Sequence, residues 1–249
     1  MNEYSIPEGT KAMIFAAGLG TRLKPFTDQH PKALFPIHGK PLLQRNIEHL
    51  KSHGIKDIII NIHHFADQII DFIRIHDQFG INISFSHEEE EPLETGGGLK
   101  KASWFFADSN LPFVVINADI LSNIDLHKMH AFHVMKNGIA TLAATNRNSS
   151  RCLLQDDQHH LIGWKNMQTG EERISRSNCS YKPVAFSGIH IIKPEFISHL
   201  SQEEKFSIID SYLDTAKNED IFIYQHDGDI VVDVGKPDSI EVAERLFPL

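Results

Sequence analysis

Gly18 and Gly20 are followed within a dozen positions by Arg22, Lys24 and Lys32, spaced by Pro25 and Pro31, in the stretch AAGLGTRLKPFTDQHPKAL. Glycines between a strand and the next element let backbone N–H groups approach phosphate oxygens unobstructed. Leu23 stands where a GxGxxG fingerprint needs its third small residue, which argues against a dinucleotide site. No GKS or GKT follows, so this is not a P-loop. A lone Gly-x-Gly reads first as a solvated turn; with Arg22 and Lys32 attached, it reads as a phosphate cradle. Asp233 lies inside the apolar run Ile230–Val234, where burying a carboxylate without a partner is costly. Asp119, just after an apolar run, is of a type that caps helices or starts turns. Thr95 is expected to cap the helix that follows it. The acids Glu88–Glu91 are expected to form a solvated loop, and the 16 histidines, lacking metal-ligand spacing, to lie at the surface or be satisfied internally.

The elements that must position these groups alternate in type. KAMIFAA (11–17) reads as a buried strand ahead of the glycine loop. Pro41 is suited to a first helical turn, and Leu42, Leu43, Ile47 and Leu50 form a helical stripe ending near Gly54. DIIINI (57–62) is a second strand, Phe65 to Ile73 a second helix, INISFS (81–86) a third strand and FVVINADI (113–120) a fourth, with a helix opening at TGGGLKKASWFFA. Beyond them RCLLQDD and HHLIGWKN predict a hairpin turning at Asp156–Gln158. VAFSGIHII (184–192) predicts a strand, 206–218 a helix, and DIVVDVG (229–235) a final strand before a last helix. The alternation predicts an α/β fold, Rossmann-like, with a mainly parallel mixed sheet flanked by helices and a small β-rich excursion. With no linker or repeat in view, residues 1–249 read as a single domain.

Bulk composition narrows the partners. The chain has 249 residues, 41% hydrophobic and 23% charged, enough to bury a substantial core. Its 33 acids against 24 bases give a formal charge of −9, which argues against a nucleic-acid partner. A few focused cations can still serve a small anion. The apolar runs are too short to span a bilayer, and MNEYSIPEGT shows no secretory signal. Cys152 and Cys179 form neither a disulfide framework nor a CxxC pair. No membrane association and a cytoplasmic location are expected.

The stretch AAGLGTRLKPFTDQHPKALFPIHGKPLL resembles nearly the whole N-terminal motif of the sugar-1-phosphate nucleotidyltransferases, or NDP-sugar pyrophosphorylases. PLETGGGLKKA, VINADI, FSGIHII and VVDVGKPDSI extend the resemblance over most of the chain. The Glu-Thr-Gly-Gly-Gly form is most similar to uridylyltransferases acting on N-acetylmuramic acid 1-phosphate, with guanylyltransferases of the mannose- or heptose-1-phosphate type close behind. The resemblance implies an NTP, UTP preferred, and a sugar 1-phosphate as substrates, with NDP-sugar and pyrophosphate as products. It also leaves open a catalytically silent relative that only binds nucleotide sugars, although Arg22, Lys32 and the carboxylates such a relative would lose are present. Oligomeric state is expected to be monomer or small homo-oligomer, and no C-terminal β-helix domain is expected after Asp233.

Residue by residue, the resemblance gives Arg22 the departing pyrophosphate and Lys32 the α-phosphate region. It places Ala17, Gly18, Leu19, Gly20, Thr21, Glu94, Thr95, Gly96, Asn117, Ser187 and Gly188 against substrate, and assigns Mg²⁺ to Asp119 and Asp233. Departures are Ala118 for a common glycine and Val231 or Val232 for a common aromatic. The acid-Lys-Pro motif that touches the sugar phosphate is absent, with Lys165 and Lys182 as imperfect substitutes. The chemistry needs no general base, because a phosphomonoester is largely dianionic above its second pKa near ~6. It needs cations that let two polyanions meet.

Overall fold

In a computed structural model, residues 5–177 and 180–248 are described; Cys179 lies outside them. The parallel half of the sheet is built from β1 (Lys11–Phe15), β4 (Asp57–Ile62), β5 (Asn82–His87) and β6 (Phe113–Asn117). A two-residue hairpin of β2 (Pro36–Ile37) and β3 (Lys40–Pro41) lies between the first two. β1 pairs in parallel with β4 and β6, and β4 with β5. These are continuous apolar runs because both faces are covered. Along β1, Ala12 and Ile14 join one core while Met13 and Phe15 join the other. The first core receives α1 (Leu42–Ser52), α2 (Ala66–Ile75) and α4 (Leu126–Lys136); the second receives α3 (Glu94–Lys101) and α5 (Ile208–Thr215).

The expected fourth strand is two. β6 stops at Asn117, the chain turns through Ala118 and Asp119, and β7 (Ile120–Ser122) leaves the main sheet. It pairs with β14 (Val231–Asp233), the expected final strand, in a separate two-stranded sheet. Leu121, Val232 and Val234 pin that sheet, with Ala243 of α6 (Asp238–Leu246), in a third small core. The β-rich part comprises β8 (Ala140–Thr145), β9 (Arg151–Gln155), β10 (Leu161–Asn166), β11 (Glu172–Ile174), β12 (Lys182–Ile192) and β13 (Ile221–Gln225). The long strand β12 joins the two halves. Its C-terminal part runs antiparallel to β6, its N-terminal part pairs with β9, and its register against β8 breaks between Phe186 and His190. The predicted β9–β10 hairpin is present, and Asp156 Oδ1 accepts from the Gln158 and His160 amides in its turn. Among the described residues no helix is long and apolar enough to cross a membrane.

The histidines depart from expectation. Among the described residues, His49, His130, His133, His190 and His226 each keep a buried ring nitrogen without a hydrogen-bond partner. His190 is enclosed by the second core and its Nδ1 meets the Tyr212 hydroxyl at 2.6 Å. Burial drives His49 to a pKa of about 4, helped by the nearby His53, and drives His190 to about 3. His133 falls to about 3 for the same reason, with Lys193 and His130 adding to it. Because these folded values lie below that of an unfolded histidine, the unfolded chain binds more protons and stability falls as pH drops below 6.5. Urea midpoints should therefore decline steadily from pH 6.5 toward pH 4. The double variant His190→Phe/Tyr212→Phe should flatten the dependence by one proton, about 1.4 kcal/mol per pH unit. An unchanged slope would show that His190 protonates within the fold.

Candidate functional site

The glycine loop begins where β1 ends. The Ala16 amide donates to Asn61 Oδ1 at 2.7 Å and the Ala118 amide to the Phe15 carbonyl at 3.0 Å, which ties the loop to the ends of β4 and β6. Gly20 adopts φ +63°, and a Cβ there would sit 2.7 Å from Lys32 Cβ. Glycine is therefore required for the loop to fold over Lys32. Thr27 Oγ1 closes the turn on the Gly20 carbonyl at 3.0 Å, and Leu23, in the place of a third glycine, is a buried anchor. Among the described residues the amides of Ala17, Gly18, Leu19 and Gly20 donate to no protein acceptor. They line a cleft of about 470 Å³ together with Thr21, Arg22 and Lys32.

Most of the sequence-derived site converges there. Glu94, Thr95, Asn117 and Asp119 line the same cleft, joined by Asn61 and Glu88. Among the described residues Asn117 Oδ1 is buried without a hydrogen-bond partner, an acceptor open to a donor. Lys32 Nζ bonds Asp119 Oδ2, and both side chains are largely shielded. Asp233 lies beside them: β14 pairs Asp233 with Ile120, and the Val234 amide donates to the Asp119 carbonyl at 2.8 Å. A Cβ on Gly235 would touch both Asp233 Oδ1 and Arg22 Nη2, at 2.6 and 2.9 Å, so this glycine lets the guanidinium and carboxylate share one corner. Asp233 is exposed rather than buried, with only Val232 and Val234 turned into the small core. Loss of water around its carboxyl, and then the charge of Asp119, push its pKa up; Lys32, Arg22 and Arg147 pull against them. Asp119 and Asp233 thus lie beside one another where β7 and β14 pair, with Lys32 bonded to the first and Arg22 beside the second.

Three expected residues lie elsewhere. Gly96 is buried in α3, where a side chain would collide with the Phe206 ring, and its amide donates to the Phe206 carbonyl at 2.9 Å. Gly97 has no room because the Glu204 carbonyl sits against it. Thr95 does not cap its own helix; its Oγ1 accepts the Ile208 amide at 3.0 Å and serves the start of α5. Ser187 is wholly buried, its hydroxyl 2.8 Å from His226 Nε2. With Asp229 Oδ2 3.6 Å from His226 Nδ1, these are the residue types of a nucleophile triad, but no substrate can reach Ser187. Gly188 supports the cleft from behind: its φ is +68° and a Cβ would approach Asn117 Nδ2 to 2.7 Å.

Glu88 is the largest surprise, one end of an acidic run yet only 1% exposed. It accepts from Asn61 Nδ2 at 2.7 Å and from the Leu93 amide at 2.8 Å. The signal for it was positional, since it directly follows β5 on the sheet edge that carries the cleft. Glu88→Gln turns one of these acceptors into a donor and leaves a buried group unpaired. It should cost about 1–3 kcal/mol of stability in urea titration. A loss under half of that would mean that the pair is not needed to hold the cleft wall.

Comparison with known proteins agrees with this geometry. Residues 11–151 match the nucleotidyl transferase family. The chain is 30% identical over 211 residues to a UTP–glucose-1-phosphate uridylyltransferase of Synechocystis, covering 80% of this chain and 53% of that protein. It is 41% identical over 115 residues to an N-acetylmuramate alpha-1-phosphate uridylyltransferase of Neisseria meningitidis, covering 46% and 49%. It thus spans about half the length of these two curated relatives. A crystal structure of HddC from Yersinia pseudotuberculosis complexed with GMP-PN superposes with a TM-score of 0.76 at 25% identity, covering 96% of this chain and 99% of that one. Family match, fold and cleft agree, and the chain belongs to the nucleotidyl transferase family.

Proposed function

We propose that this protein transfers a nucleotidyl group from an NTP, UTP by preference, to a sugar 1-phosphate. The observation that carries the reading is the convergence of unpaired loop amides, Arg22, Lys32 and Asp119 in one cleft, with Asp233 on the strand paired beside Asp119. In it the amides of Ala17 to Gly20 take the phosphate chain and Arg22 shares the charge of the departing pyrophosphate. Lys32, held by Asp119, keeps its ammonium where the α-phosphate arrives. Such fixed charges act without reorganisation as charge develops in transfer. The acceptor phosphate is its own nucleophile, so the buried Ser187–His226 pair is not needed.

Two neighbouring carboxylates, one with its pKa raised partly by the other, fit a divalent cation. Among the described residues no group of three or more His, Cys, Asp or Glu side chains is arranged around a metal, so substrate phosphates would have to complete the ion's shell. Mg²⁺ on Asp119 and Asp233 would supply charge neutralisation and alignment of the phosphates. The same reading makes the protein a single nucleotidyltransferase unit, monomer or small homo-oligomer, in the cytoplasm where NTPs are supplied. UTP is favoured by the Glu-Thr-Gly-Gly-Gly sequence and the similarity to the Neisseria uridylyltransferase. GTP is the second reading, on the likeness to the Yersinia protein complexed with GMP-PN.

Incubation with pyrophosphate and a panel of UDP-sugars and GDP-mannose tests both, since exchange of one phosphoanhydride for another runs in either direction. UTP formation supports the first reading and GTP formation the second. Tight binding without any NTP would favour a silent relative. Lys32→Ala should lower kcat roughly 10- to 1000-fold, whereas Arg22→Ala should chiefly raise KM for NTP and pyrophosphate. A pure KM effect at Lys32 would reverse these roles.

Asp119→Asn and Asp233→Asn should each remove most turnover in saturating Mg²⁺. At Asp233 the raised pKa means that ionisation disfavours folding above that pKa, so Asp233→Asn should melt no lower than wild type in the absence of metal. A folded Asp233→Asn variant with near-normal rates would remove it from the site.

A further inference from the structure

Ser187 and His226 take no part in the chemistry proposed above, yet they meet where the ladder of β12 is interrupted. Phe186 pairs with Ala144 of β8 and His190 with Leu142, so Ser187, Gly188 and Ile189 together span Ala143 alone. Ile189 pairs with Ile116 of β6, and the β9 ladder ends at Val184. Ser187 and Gly188 therefore stand in a bulge, outside the register of β6, β8 and β9. Bulges bend a strand and re-aim its side chains, and they need support in place of the missing ladder bonds. Here a side chain supplies it. His226 is fixed by its own backbone, whose amide donates to the Ala144 carbonyl at 3.1 Å and whose carbonyl accepts the Asp229 amide at 2.9 Å. Its Nε2 lies 2.8 Å from Ser187 Oγ, and both residues are buried. Nδ1 has no hydrogen-bond partner among the described residues, and Asp229 Oδ2 stands off at 3.6 Å. The ring is therefore held by Ser187, and Ser187 by the ring.

What the bulge touches gives this bond its consequence. Gly188 adopts φ +68°, and a Cβ there would meet Asn117 Nδ2 at 2.7 Å and Ile120 Cγ1 at 2.9 Å. Those two residues flank Ala118 and Asp119, the turn between β6 and β7 that carries one carboxylate of the site. The other contacts of the turn come from different sides. Phe15 takes the Ala118 amide at 3.0 Å, Asn46 Nδ2 donates to the Ala118 carbonyl at 3.0 Å, and the Val234 amide donates to the Asp119 carbonyl at 2.8 Å. Toward the β-rich half, the backbone of the bulge is what the turn rests on. Asp119 in turn places Lys32, so a shift of the bulge reaches the ammonium meant for the α-phosphate. The glycine loop is tied to Asn61 on the opposite side and is spared.

We propose that His226 is a positioning residue for nucleotidyl transfer: through Ser187 it holds the β12 bulge against Asn117 and Ile120, and so fixes the Asp119 turn and Lys32. This rests on the nucleotidyl-transfer reading. The test compares wild type with Ser187→Ala, His226→Phe and His226→Gln in steady-state kinetics at saturating Mg²⁺. Substrates are UTP or GTP with N-acetylmuramic acid 1-phosphate, mannose 1-phosphate or glucose 1-phosphate, using the pair that wild type turns over fastest. Thr141→Val is the control, since Thr141 Oγ1 makes a similar buried bond to His133 Nδ1 at 2.8 Å, opposite Ile191 and past the bulge. Ser187→Ala and His226→Phe should lower kcat roughly 10- to 100-fold, the cost of misplacing a reacting group by up to ~1 Å. KM for NTP should change by less than about twofold, as expected when the loss falls on the transition state. His226→Gln keeps a hydrogen-bonding nitrogen for Ser187 and should recover most of the loss. The double variant Ser187→Ala/His226→Phe should be no slower than the slower single, because both remove one shared bond. Thr141→Val should melt lower and keep its kcat. In ¹H–¹⁵N spectra without substrate, Ser187→Ala should shift the Asn117 side-chain amide and the Ala118 and Asp119 amides, and leave those of Ala17 to Gly20 in place. Should His226→Phe fail to fold, Ser187→Ala, which removes a single oxygen, carries both measurements. Wild-type kcat in the folded variants, a fall in kcat that Thr141→Val shares, or unmoved Asn117–Asp119 signals overturns the assignment. Wild type inactive with every pair overturns nucleotidyl transfer itself, and the spectra then decide whether the pair holds the turn.

Discussion

A carboxylate almost wholly removed from water has to be met by fixed donors, and Glu88 is met by two that come from opposite sides of the cleft. Asn61 stands at the end of β4 and in turn accepts the first amide of the glycine loop. Leu93 stands just ahead of α3. Through this chain of hydrogen bonds the phosphate side and the opposite wall are held at one separation. Even the first residue of α3, Glu94, is kept at φ +61°, a conformation that disfavours side chains. Strain of this kind persists only where the surroundings over-determine the backbone. Gly98 completes the arrangement, since a Cβ there would press on both Asn61 and Glu88, at 2.8 Å from each.

The electrostatic logic of the cleft is local rather than global. A chain with net charge −9 sets Arg22 and Lys32 beside two carboxylates, so the balance of charge at the site is local and differs from that of the whole chain. Lys32 is placed by its bond to Asp119, while at Asp233 desolvation and the charge of Asp119 push the pKa up and the nearby cations pull against them. Removing any one of them changes the others.

Much of this was readable before the structure. The continuous apolar runs of β1, β4 and β6 announce buried parallel strands, and the glycine loop with its cations announces phosphate. What sequence could not show is set by contacts between distant segments. Glu88 looks like its solvated neighbours until Asn61 is placed beside it. Thr95 has the type of a helix cap, but its hydroxyl serves a different helix. Ser187 has the type of a binding residue, yet the β12 irregularity turns it onto His226. Residue type and spacing reveal local geometry; the direction of a side chain across a strand break is a property of the assembled sheet.

Three successive glycines inside α3 would weaken an isolated helix by about 1 kcal/mol each relative to alanine. Here the bare backbone of Gly96 and Gly97 admits the Glu204–Phe206 segment at a closeness no side chain would allow, and Lys100 ties down the carbonyls of Ser201, Gln202 and Glu203. The helix therefore draws its stability from a stretch of chain far along the sequence, with Thr95 and Ile208 in direct contact although 113 positions apart. On a ribosome, the strands and the glycine loop emerge well before that stretch does. The wall bearing Glu94 and Thr95 cannot consolidate until residues past Phe206 have left the exit tunnel. A cleft whose phosphate side forms early is completed, on its opposite side, late in synthesis.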